Sequence, residues 1–126
     1  MKVSNSIKKN AGFVNKFLKK ELKGNPKQLY DAASHLILHG GKRLRPFLVL
    51  KSCQMLGGRQ SDAIAAASAV EMIHNFTLVH DDIMDNDEMR HGVPTTHKKF
   101  DMPLAILAGD VLYSKAYHTI SSKSKL

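Results

Sequence analysis

The chain is expected to be all-α, a partial antiparallel bundle of about five helices. Three observations carry this. Apolar residues recur at helical spacing through most of the 126 residues. Gly and Pro punctuate them where helices should begin and end. No stretch alternates apolar and polar residues long enough to make a strand.

The elements follow in order. Ile7, Ala11, Val14, Phe17, Leu18 and Leu22 form one helical stripe from Ile7 to Lys23, ended by Gly24. Asn25-Pro26 reads as an N-cap with Pro at the first helical position. The stripe Leu29, Tyr30, Ala33, Leu36 and Ile37 follows, closed by Gly40-Gly41. A third helix is predicted from about Arg43 to Leu56, with Pro46 in its first turn and Gly57-Gly58 as its stop. Ser61 is predicted to cap a fourth helix that starts at Asp62. That helix is apolar on nearly all sides through Ala65-Ala66-Ala67, Ala69-Val70, Ile73, Phe76 and Val79, which predicts a buried central position. It should reach the aspartates at 81–85 and fray near Asn86-Asp87. Gly92 and Pro94 mark a loop. Asp101 should cap a last helix, with Pro103 in its first turn, running to about Ile120, and residues 121–126 are expected to form a frayed tail.

Composition narrows the function classes. The length suits one small core. No apolar run approaches the ~18 residues of a membrane span, and the first residues lack the apolar segment of a signal peptide. The single cysteine, Cys53, lies among apolar helical residues and reads as a buried thiol in a reducing compartment, so a cytoplasmic location is expected. The formal net charge is +8, which raises nucleic-acid binding. The distribution argues against it. Lys8, Lys9, Lys16, Lys19, Lys20 and Lys23 fall in the first helix and Lys115, Lys123 and Lys125 near the end. They read as solvated faces with no interleaved aromatics on which bases would stack.

Three constellations carry chemistry. In Leu78-Val79-His80-Asp81-Asp82-Ile83-Met84-Asp85, three carboxylates interrupt an apolar run. Burying them is costly without a compensating charge. Asp81 and Asp85 share a helix face, and two hard oxygen ligands with room for water suit Mg²⁺, which commonly also binds substrate phosphates. His74 and Thr77 extend that face toward the N-terminus, while Asp87 and Glu88 fit a solvated helix end. In Gly40-Gly41-Lys42-Arg43-Leu44-Arg45-Pro46, two glycines permit close backbone approach and three cations stand at a helix N-terminus, a pattern suited to phosphate. A helix end followed by a basic turn explains the same residues. Arg90 to Lys99 is a basic loop beyond the acids. It is placed either to hold phosphate oxygens or to serve as plain polar surface.

Taken together, these residues resemble the trans-isoprenyl diphosphate synthases, the polyprenyl synthetase family. Asp81 to Asp85 is similar to the family's first DDxxD motif, and Gly40 to Pro46 to its GGKRxRP motif. Arg90 to His97 is similar to its RRGxPTxH segment, and Ala105 to Asp110 to its LAGD helix start. The likeness runs from about Gln28 to Tyr117 and is strongest toward archaeal geranylgeranyl and farnesyl diphosphate synthases. It implies the isoprenoid-synthase helix bundle, of which residues 1–126 would be the N-terminal portion. It implies Mg²⁺ on Asp81 and Asp85, with Asp82 beside them, and Arg90 on the allylic diphosphate (dimethylallyl, geranyl or farnesyl). Lys42, Arg45 and His74 would bind the diphosphate of isopentenyl diphosphate, a role the family shares with the position of His91. Phe76 and Thr77, the fifth and fourth residues before Asp81, would floor the chain-length pocket, although Phe76 serves equally as plain core. The implied reaction ionises the allylic diphosphate, adds isopentenyl diphosphate and loses a proton, giving geranylgeranyl diphosphate in the complete enzyme.

Two departures qualify the likeness. His91 stands where the family has its second arginine, and it lacks a permanent charge and a fork. The family's second aspartate-rich motif has no counterpart after Asp110; Asp101 and Asp110 stand singly. The chain alone is therefore expected to be inactive, to expose apolar surface and to associate, either as a homo-oligomer or with the missing C-terminal half. A non-catalytic partner subunit is the alternative reading, disfavoured by the intact DDxxD. A terpene cyclase is disfavoured by the GGKRxRP motif, because it has no second diphosphate substrate.

Overall fold

The computed structural model describes residues 2–124. Among them are six helices and one short hairpin: α1 (Lys2–Glu21), α2 (Lys27–Ser34), α3 (Leu44–Met55), α4 (Gln60–Asp85), β1 (Met89–Arg90), β2 (Val93–Pro94), α5 (Thr96–Lys99) and α6 (Met102–Lys123). The all-α class holds. The core gathers Val14 and Leu18 of α1, Ala32 and Ala33 of α2, Leu50 of α3, Ala67, Met72 and Val79 of α4, and Ala105, Ala108 and Leu112 of α6. Small residues line α4 and α6 where they meet, so these two helices approach closely and form the most extensive helix pair.

Helix ends differ from expectation where side chains or packing override the local signal. α1 begins at Lys2 rather than near Ile7. The Asn25–Pro26 peptide is cis and Pro26 is itself the N-cap of α2, so Pro26 precedes the helix instead of opening it. α2 ends at Ser34, whose hydroxyl donates to the Tyr30 carbonyl; Leu36 and Ile37 are buried from the turns that follow. The cap of α4 is Arg59 rather than Ser61, and the Asp62 carboxylate accepts from the Arg59 amide at 3.1 Å. Asp101 caps α6 as expected, accepting from the Leu104 amide at 2.8 Å. Cys53 is half-buried rather than buried, its thiol 3.5 Å from the Arg59 carbonyl.

The tail expected over 121–126 is shorter. α6 continues to Lys123 because Ser121 and Ser122 donate to the His118 carbonyl and Lys123 pairs with the buried Glu21 of α1. Lys125 and Leu126 lie outside the described residues.

α4 is central but not enclosed. It packs against α6, α3, α1 and α5, yet Val70, Thr77, Asp81, Met84 and Asp85 are exposed along its remaining face. That face continues into an apolar groove of about 260 Å³ between α4 and α6, lined by Ala69, Val70, Ile73, Ala116, Tyr117 and Ile120.

Candidate active site

The two glycines at 40 and 41 do distinct work. Gly41 has φ +96°, which a side chain rarely tolerates. Gly40 leaves space for His91, whose Cβ and Cγ would lie 2.8 Å from any Cβ added there. The basic turn and the later basic loop therefore meet across a gap that only glycine leaves open.

Of the three cations that follow, the structure takes one out of the site. Arg43 is an N-cap in the left-handed region (φ 58°), and its side chain turns inward, 4% exposed. It donates to the Gly40 carbonyl (2.8 Å), Asn15 Oδ1 (2.8 Å), the carboxylate of Glu71 (3.1 Å) and the Ile37 carbonyl. A buried guanidinium with its donors shared among four partners is structural. Lys42 and Arg45 remain exposed.

Arg45 reaches across to α4, with its Nη1 3.3 Å from His74 Nε2. Lys42, Arg45, His74 and His91 thus line one cleft of about 270 Å³, walled by the Gly40–Gly41 turn, α3, α4 and the hairpin. Burial and the neighbouring Arg45 hold the His74 imidazole below its ordinary pKa, with Glu71 opposing and Arg90 and His91 adding to the fall.

The hairpin was not legible as strands, each being two residues long. Met89 pairs with Pro94 and Arg90 with Val93, and the turn residues His91 and Gly92 both have positive φ, 53° and 76°. That is the requirement of a type I′ turn. Histidine is among the few side chains that enter this region readily.

At the acidic end the three aspartates divide. Asp82 is the buried one, 1% exposed, and Arg90 grips it through Nε (3.0 and 2.9 Å) and Nη2 (2.8 Å). The pairing to Asp82 raises the guanidinium pKa, with Asp87 and Asp81 contributing. Of the three carboxylates that interrupt the apolar run, the structure therefore buries and pairs only Asp82. Asp81 and Asp85 are exposed on one face of the last turns of α4. Among the described residues no third His, Cys, Asp or Glu joins them to form a protein-only metal cage. Two exposed carboxylates one turn apart fit Mg²⁺, which takes one or two carboxylates and completes its shell with water and phosphate oxygens.

Phe76 is half-buried and faces α6, its ring centroid 4.7 Å from that of His80 and 5.2 Å from that of Tyr113. Thr77 is exposed below Asp81, its hydroxyl donating to the His74 carbonyl at 2.6 Å. His80 reaches the Ile106 carbonyl (3.2 Å) over Gly109, where an added Cβ would come within 2.3 Å of the ring. The glycine of the LAGD-like segment thereby sets how closely α6 packs against the aspartate helix. Sequence reasoning missed the roles of Arg43, Glu71 and Gly109. Glu71 had a signal, a lone acid within the apolar part of α4.

The helical bundle sets a cationic cleft and a carboxylate pair along one helix, beside an apolar groove. The sequence profile of polyprenyl synthetases matches residues 26–125. The chain is 51% identical over 112 residues to a geranylgeranyl diphosphate synthase of Saccharolobus solfataricus, covering 89% of this chain and 34% of that protein. It superposes with a TM-score of 0.89 on a geranylgeranyl pyrophosphate synthetase of Geoglobus acetivorans at 52% identity, covering 93% of this chain and 39% of that one. With the Pyrococcus horikoshii geranylgeranyl pyrophosphate synthetase the TM-score is 0.94 at 44% identity, covering 99% and 38%. The chain belongs to the polyprenyl synthetase family, and it spans between a third and two fifths of the length of these relatives.

Proposed function

We propose that this chain carries the substrate-binding first portion of a prenyl diphosphate synthase, which condenses isopentenyl diphosphate with an allylic diphosphate to give geranylgeranyl diphosphate. The observation that carries it is the convergence of Lys42, Arg45, His74 and His91 on one cleft, with Asp81 and Asp85 on the same α4 as His74. Two anion-handling sites on one helix match a reaction with two diphosphate substrates.

Lys42 and Arg45 bind the isopentenyl diphosphate, and the His74 and His91 rings donate to its oxygens. Asp81 and Asp85 would hold Mg²⁺, which would supply positive charge to the leaving diphosphate. Arg90 orients the acidic end by fixing Asp82 and turns its remaining edge toward the same diphosphate. The groove beside Ile73 and Tyr117 excludes water from the allylic chain, and Phe76, backed by Tyr113, limits its length.

A chimera tests this. This chain replaces the matching segment of the Geoglobus acetivorans protein, and the product is followed with isopentenyl diphosphate, an allylic primer and Mg²⁺. The folded chimera should make geranylgeranyl diphosphate, and Phe76→Ala should lengthen the product. A folded chimera without turnover, beside an active intact relative, would refute the reading.

A further inference from the structure

The polyprenyl synthetase profile begins at residue 26, after α1, although the solved relatives superpose over α1 as well, and α1 holds most of the charge. The first 25 residues carry seven lysines and one acid, a net +6 of the chain's +8. The structure sorts these charges by face. Val14, Leu18 and Leu22 are buried against the core, and the Asn10 amide oxygen accepts from Gln60 of α4 at 3.0 Å. The one acid, Glu21, is buried and paired with Lys123. Lys8, Lys9, Lys16, Lys19, Lys20 and Lys23 are all exposed, and none pairs with a carboxylate among the described residues.

Beside the lysines lies apolar surface, and Phe13 and Phe17 stand among them, against the expectation that no aromatic is interleaved with these lysines. Phe13 is 48% exposed. It lines, with Phe17 and with Ile64 of α4, a groove of about 440 Å³ to which Lys16 and Lys20 also contribute. A basic face with an aromatic at its edge and an apolar groove between cations has the chemistry of a helix lying on an anionic bilayer. We propose that α1 is a peripheral membrane-docking surface for anionic phospholipid. The lysines meet the headgroups, Phe13 enters the acyl boundary, and the groove takes part of a chain. Nucleic acid fits less well. α1 has no arginine fork, and its exposed apolar surface would be left facing a polar duplex. No described helix is long and apolar enough to cross the bilayer, so the attachment is interfacial. The proposal rests on α1 and is independent of the proposed catalytic reading.

The test is co-sedimentation of the chain with vesicles of phosphatidylcholine alone and of phosphatidylcholine with ~30% phosphatidylserine at low salt, a range in which headgroup charge acts within a Debye length. Binding should require the anionic lipid and fall as salt rises. The double variant Lys16→Glu/Lys20→Glu should lower the partition coefficient at least ~10-fold with unchanged circular dichroism. Ile120→Gln, on the separate α4–α6 groove, should leave it unaltered. Equal binding to both vesicle types, or a loss with Ile120→Gln and none with the lysine pair, would overturn the proposal in favour of adhesion through the other apolar face. Displacement from vesicles by equimolar duplex DNA would overturn it in favour of nucleic acid.

Discussion

The basic cleft and the acidic end of α4 stand on the same helix yet are built in opposite ways. The cleft is enclosed by the Gly40–Gly41 turn, α3, α4 and the hairpin, and its cations are held by a buried frame: Arg43 on Glu71, Asn15 and two carbonyls. The acidic end is framed only through Asp82, while Asp81 and Asp85 project from an open face. The hairpin joins the two, giving Arg90 to Asp82 and His91 to Gly40. The lesson is that one charge of each cluster is spent on architecture, Arg43 in the basic motif and Asp82 in the acidic one. The exposed members are the ones proposed to meet ligands.

The sharpest way to break this contrast is Arg43→Ala. It leaves Glu71 buried without its partner and frees the loop carbonyls. A loss of about 3–5 kcal/mol in denaturant unfolding is expected, with the cleft's affinity for inorganic diphosphate falling alongside. Retained stability would show that Arg43 is no frame.

The acidic end offers a smaller, divided effect. Asp82→Asn removes the carboxylate that Arg90 grips and should cost about 1–3 kcal/mol. Asp81→Asn and Asp85→Asn should stay within about 0.5 kcal/mol, because these are exposed acids at a helix C-terminus, where negative charge is already unfavourable. Equal losses for the three aspartates, measured by urea unfolding, would erase the distinction between frame and ligand.

The smallest effect concerns the hairpin's anchor. His35 is buried on α2's trailing turn, its Nε2 donating to the Pro94 carbonyl of β2 at 2.7 Å. Burial lowers its pKa below the ordinary 6.5, with the Pro94 bond opposing and His39 and Lys99 adding to the fall. The unfolded chain therefore takes up this proton first as pH falls. The stability His35 contributes is present above about pH 6.5 and is lost below it. The melting temperature should drop modestly between neutral pH and mild acid, and His35→Gln should shrink that drop. An undiminished drop in the variant would assign the dependence to other groups.

Much of the fold could be read from the residues because it depends on local signals: the apolar stripe of α1, the nearly all-round apolar character of α4, and the Asp101 cap with Pro103 at the start of α6. The hairpin escaped because two-residue strands carry no periodicity and the turn is recognised only by paired positive φ. α2's early end escaped because the Ser34 back-bond competes with the helix without changing the stripe. The site's members were legible as motif positions; their division of labour was not. Lys42, Arg43 and Arg45 are alike in charge, as are Asp81, Asp82 and Asp85.

By itself the sequence determined the helical class, the family likeness and the charged groups of the proposed diphosphate sites, since periodicity and residue chemistry are local properties. Only the tertiary structure decided which arginine and which aspartate turn inward. It also decided that Gly40 seats His91 and Gly109 seats His80, and that α1 gathers its lysines on one bare face. Burial and partner choice depend on residues tens of positions apart, and those meet only once the helices pack.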